Sequence, residues 1–165
     1  MADILDKNLV IVSGAVIFDD KDKKPKWFIS KSEKDGDWEF PKIISRKTES
    51  SVRASIRMMG EKGGMSTKVL EEVGRAGGIT SITGKTRPQR HIYYLHRLKS
   101  KSGDPVGFAE AGWFEYAKAV RKLGSKRERA MLKDARKEFR DWKKRMKKKR
   151  EEERKKEEAK KQKNK

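Results

Sequence analysis

The feature that most restricts how this chain folds lies in its last third. Leu132, Ala135, Phe139, Trp142 and Met146 follow one another at spacings of three, four, three and four, which is one face of an α-helix. The pattern then stops, and residues 147–165 hold a single apolar residue, Ala159. Just upstream, Ser125 and Glu128 have the spacing of a capping box, so the helix starts directly after Gly124. A half-helix with an apolar stripe has to bury it, whereas one without a stripe has nothing to bury. The chain therefore divides into a body over 1–124, an amphipathic helix over 125–146 packing on the body or on a partner, and a tail over 147–165 that is solvent-exposed or bound to a polyanion. Glu151, Glu152 and Glu157 each precede a lysine by four residues, which supports a helix even without packing. If it is helical to about Gln162, the element is roughly 55 Å long at 1.5 Å of rise per residue.

Charge points to the partner. Residues 143–165 hold fourteen Lys or Arg and five Glu, a net +9 within the chain's +20. Lys143, Lys144, Arg145, Lys147, Lys148, Lys149 and Arg150 form a run without an acid. Such an excess opposes compaction by self-repulsion and favours capture of a polyanion with release of its counterions. The tail lacks the Trp, Phe and Leu face of an interfacial helix, so RNA is expected rather than a membrane, with ribosomal RNA as the specific expectation. The bland alternative is a solvated helix or tail that aids solubility. A second basic cluster, Lys85, Arg87 and Arg90, falls in GKTRPQR, where Gly and Pro predict a loop able to reach phosphates.

Cysteine is absent, which excludes disulfides and thiolate metal sites, and two histidines are too few for a zinc site. Met1 to Asp6 has no leader pattern and no window has the length of a membrane span, so an intracellular, cytoplasmic protein is expected.

In the body, Leu9 to Phe18 reads as a buried strand in which Gly14 marks a bulge or a close backbone approach. Lys26 to Ser30 completes a hairpin with it. Val52, Ile56 and Met59 predict a helix from about Ser50 to Lys62, ended by Gly63 and Gly64. Short strands are predicted at Val69 to Val73, Gly78 to Thr83 and His91 to Leu98, and a short helix at Trp113 to Leu123. These elements give an α+β fold, a mixed sheet with a helix against it and a long basic C-terminal helix. His91 and His96, five apart on one strand, face opposite ways and are read as structural.

Trp38 to Met65 resembles the Nudix hydrolase family, in particular its diadenosine polyphosphate hydrolase branch. The family's box is a Gly, five residues, a Glu, seven residues, then Arg-Glu-apolar-any-Glu-Glu-any-Gly-apolar. Glu49, Arg57, Met59, Glu61, Gly64 and Met65 fall on box positions, and Trp38, Phe40, Pro41 and Lys42 match the segment entering it. Ile43 stands at the opening Gly, Met58 at the Glu after the Arg and Lys62 at the second Glu of the pair. The resemblance implies an α/β/α sandwich and a nucleotide site at Trp38, Lys42 and Arg57. It also implies magnesium bound by box glutamates, of which Glu61 remains on the pair. Mg²⁺ binds carboxylate and water oxygens, so a thioether and an ammonium in those places argue against a metal cluster. Met59 is read as core, and Lys62 equally as a phosphate contact or a solvated lysine near a helix end.

The expectation is a non-catalytic, Nudix-like, RNA-binding protein without a cofactor. The alternative is a Mg²⁺-dependent hydrolase of a dinucleoside polyphosphate or capped RNA that uses Glu61, Glu110 and Glu49. A third reading has Leu132, Phe139 and Trp142 binding a helix of another protein.

Overall fold

The computed structural model describes residues 9–82 and 85–164, with the side chains of 78–82, 85 and 86 left aside. The expectations for Met1 to Asp6, for Thr83 and for the Lys85 side chain lie outside the described residues.

Six strands, β1 (Val10–Asp19), β2 (Lys26–Lys31), β3 (Lys42–Ile44), β4 (Met65–Ile82), β5 (Lys85–Lys101) and β6 (Glu110–Glu115), form one mixed sheet. The order is β4-β5-β1-β2-β6, with β3 also paired to β1. Only β1 and β5 run parallel among these pairs. β1 is buried on both faces, which is why its sequence is a continuous apolar run and not an alternating one. A Cβ on Gly14 would lie 2.5 Å from the Tyr93 ring, so the expected close approach is real.

Alternation along β1 and β2 sends side chains to two cores. Ala15, Ile17 and Phe28 meet Met58 and Met59 of α1 (Ser51–Glu61) on one face. Val16, Phe18, Trp27 and Ile29 meet α2 (Tyr116–Lys122) and α3 (Lys126–Lys163) on the other. The mixed sheet between helical layers, with a long C-terminal helix, is the fold the sequence predicted.

Several local expectations are corrected. The segments 69–73 and 78–82 belong to one strand, β4, which pairs with β5 through register shifts at Ser66/Thr67, Val69/Glu71 and Glu72/Gly74. The predicted loop at Lys85–Arg90 is the start of β5. Pro88 fits there because β1 pairs with β5 only from Gln89 onward, so Pro88 stands just outside the stretch flanked on both sides. Trp113 to Glu115 are strand, and the short helix starts at Tyr116. On α1 the buried positions are Ala54, Ser55, Met58 and Met59, while Ile56 is exposed, so the inward face is rotated from the stripe read off the sequence.

α1 begins at Ser50, whose side chain accepts the Arg53 N–H, and is capped at Lys62. Gly64 at φ +61 turns the chain out of the helix, and its carbonyl accepts the N–H groups of Ser102 and Gly103. α3 packs with Leu132, Ala135 and Phe139 inside the core and Trp142 half-buried against it. Leu132 and Phe139, expected as a stripe for a partner helix, are covered by this chain's own sheet, and Trp142 is half-buried beside them. Every residue from Lys147 to Asn164 is exposed. Among the described residues no helix is long and apolar enough to cross a membrane.

Candidate functional site

The residues singled out as a nucleotide and metal site separate into three places. On the α1 side, Arg57 grips Glu49 with two parallel bonds, Nε to Oε2 at 2.7 Å and Nη2 to Oε1 at 2.9 Å. Its Nη1 also donates to Glu61 Oε2 at 3.3 Å. This guanidinium holds the Glu49 carboxyl down to about 2, against its ordinary 4.5. Glu49 is therefore charged and paired with Arg57.

Met58 is completely buried in the core under α1, and the Glu61 side chain is 57% exposed. Lys62 caps the helix, and its carbonyl accepts the Gly107 N–H at 3.0 Å. Glu110 is elsewhere, on β6, paired at 3.5 Å with Lys31, whose ammonium lies 5.2 Å from the Trp38 ring centre. Among the described residues no three carboxylate or imidazole side chains converge as metal ligands. The donors present fit a magnesium cluster poorly: a buried thioether and an ammonium supply no oxygen to an ion, the Glu49 carboxylate is engaged by Arg57, and Glu61 is the one box carboxylate exposed on α1.

Trp38 and Lys42 lie in a different cleft, of about 270 Å³, lined also by Glu39, His91, Tyr93 and Glu128. Its centre is Glu128, in the first turn of α3, with 4% of its side chain exposed. Oε1 accepts the Phe40 N–H at 3.0 Å, and Oε2 accepts the Tyr93 hydroxyl at 2.9 Å and Lys42 Nζ at 2.6 Å. Three donors and the positive end of α3 compensate the cost of burying this charge. Lys42 also reaches Glu39 at 3.2 Å. Burial first, and then the Glu128 charge, push the Tyr93 phenol far above its usual range. Burial and the nearby Lys42 ammonium push His91 below its ordinary value.

Glu128 is the residue that sequence reasoning missed. The capping-box reading has its side chain returning to the helix start; Ser125 does accept the Glu128 N–H at 3.3 Å, but the carboxylate turns inward. The clue available in the sequence was only a lysine, Lys42, in a segment otherwise destined for burial. The two other basic clusters fare differently. A strand sends residues at odd separation to opposite faces, so Arg87 and Arg90 diverge where a loop would let them converge. Lys143, Lys144, Arg145, Lys147, Lys148, Lys149 and Arg150 are all exposed on α3.

The fold is that of the Nudix hydrolases. A C. elegans Ap4A hydrolase binary complex superposes with a TM-score of 0.62 and 18% identity, covering 80% of this chain and 98% of that one. A MutT protein from Methanosarcina mazei Go1 gives 0.60 and 16%, covering 82% and 98%. The NUDIX domain of Shewanella oneidensis NrtR, complexed with ADP ribose, gives 0.60 and 16%, covering 81% and 90%. At such identities the likeness is one of fold. No family model matches the chain and no curated protein is similar to it in sequence.

Proposed function

We propose that this chain is a non-catalytic protein of Nudix fold with a degenerate box, and that it binds structured RNA, of the ribosomal kind, through the exposed part of α3. The observation that carries the reading is the helix itself. It leaves the domain after Met146 as a fully exposed, strongly basic rod that buries nothing of its own fold. Contacts between such a rod and phosphates position a protein on RNA without reading its sequence. The absence of hydrolysis follows from the box, where Met58 is core, Glu49 serves Arg57, and Lys62 stands in place of a carboxylate. In the neighbouring cleft Glu128 and Glu39 already neutralise Lys42, so a nucleotide phosphate would have to displace a buried carboxylate to reach it.

The test is product release from dinucleoside polyphosphates, nucleoside diphosphate sugars and capped RNA, with Mg²⁺ and with Mn²⁺. The expected result is no turnover above that of Glu61→Gln. Metal-dependent turnover lost in that variant would establish the hydrolase reading, with the tail as a recruiter of substrate.

A further inference from the structure

The structure holds a second concentration of positive charge that the sequence did not disclose. The turn between β1 and β2 lies against α3 and leaves a groove of about 580 Å³ lined by Lys23, Lys24, Arg136, Arg140, Lys143 and Tyr116. One acid, Glu115, also lines it. Lys31, Lys42, Arg57, Arg75 and Arg97 of the body all sit in ion pairs, but among the described residues none of the five groove cations does. Five cations outside any ion pair, against one acid, repel each other around one concavity and focus a positive field outward. Arg136 is held in place by the Tyr116 ring, 4.1 Å from its centre.

The groove also runs into the tail. Arg136, Arg140, Lys143, Lys147, Arg150 and Arg154 succeed one another at four, three, four, three and four, on one face of α3. That row is about 27 Å long at 1.5 Å per residue. Its first half is fixed to the domain by the packed part of α3 and its second half projects from it.

We infer that the groove is a phosphate-backbone site, and that RNA runs from the β1–β2 turn along this face of α3, with Lys23, Lys24 and Arg140 contacting phosphates. The inference rests on the RNA reading above and says where on the domain the RNA lies. It replaces the expected loop at Lys85 to Arg90, whose Arg87 and Arg90 the strand turns to opposite faces, as the domain's contact.

The experiment titrates the full chain with a labelled RNA hairpin over a range of salt concentrations. Three proteins are compared: the unmodified chain, Lys23→Gln/Lys24→Gln/Arg140→Gln, and a control of equal charge change, Lys47→Gln/Lys68→Gln/Lys99→Gln, whose exposed lysines lie outside the groove. The groove variant is expected to lose roughly tenfold or more in affinity, with a log-log salt slope shallower by about three, one for each phosphate contact removed. The control should keep the slope within about one. Equal behaviour of groove and control variants, with the unmodified chain still binding RNA, would overturn the groove while leaving the RNA reading intact. No RNA binding by the unmodified chain, or groove-dependent binding only to vesicles containing phosphatidylserine, would overturn both.

Discussion

The two halves of α3 are one continuous helix held by different forces. Up to Met146 the helix is fixed by burial: Phe139 packs against Phe18 at 4.6 Å between ring centres and against Trp27 at 6.1 Å, and Arg97 lies 5.1 Å from the Trp142 ring while pairing with Asp20. Beyond it the helix has only its hydrogen bonds and the Glu-to-Lys pairs at four-residue spacing, worth a few tenths of a kcal/mol each. Fold stability is thus concentrated in the first half, and the second half is free to carry charge for a partner.

The sharpest way to break this contrast is Phe139→Ala, which should destabilise the protein by about 4 kcal/mol, as an aromatic truncated in a packed core does. Chemical denaturation measures it, and a loss below about 1 kcal/mol would mean that α3 is not part of the core. Next comes Glu128→Ala, which strands the Tyr93 hydroxyl and the Phe40 N–H and leaves Lys42 with Glu39 alone as its counter-ion. About 3 kcal/mol is expected, and Glu128→Gln should recover part of it.

Acid sharpens the contrast differently. His96 is buried with Nδ1 2.8 Å from Thr67 Oγ1 and Nε2 3.1 Å from Ser55 Oγ. Because Ser55 Oγ donates to the Val52 carbonyl, it accepts from His96 Nε2–H, and Nδ1 accepts from Thr67. Burial holds this imidazole down to about 4, against its ordinary 6.5. The unfolded chain therefore binds the extra proton first. The His96 contribution is complete above pH 6.5 and lost as pH falls to about 4, at most about 3 kcal/mol. His96→Gln should flatten that slope, and a chain truncated after Met146 should keep it. That truncation has the smallest expected effect, within about 0.5 kcal/mol of the full chain, since nothing it removes is buried.

The packed half was legible in the sequence because its signal is local: a stripe at helical spacing, a Ser cap and a preceding Gly. β1 was legible for the same reason, through its run of β-branched residues. The long β4–β5 hairpin was not, since Gly77, Gly78 and Pro88 argue locally for breaks, and pairing over many residues overrides them. Trp113 to Glu115 read as helix because their apolar residues suit either period, and only pairing with β2 decides. The Glu128 network was illegible in principle: its partner Phe40 is 88 positions away, and no local pattern shows a carboxylate turning inward. The basic run of the tail was plain, whereas the groove needed the fold to bring Lys23 and Lys24 beside Arg140.

RNA binding by the free half of α3 is open to direct measurement. Its most direct test is the affinity of a labelled RNA hairpin for the full chain and for the chain ending at Met146, each at several salt concentrations. Log affinity of the full chain is expected to fall linearly and steeply with log salt, and truncation to weaken binding and make the slope shallower by about two to four. An affinity and slope unchanged by removing residues 147–165 would contradict it.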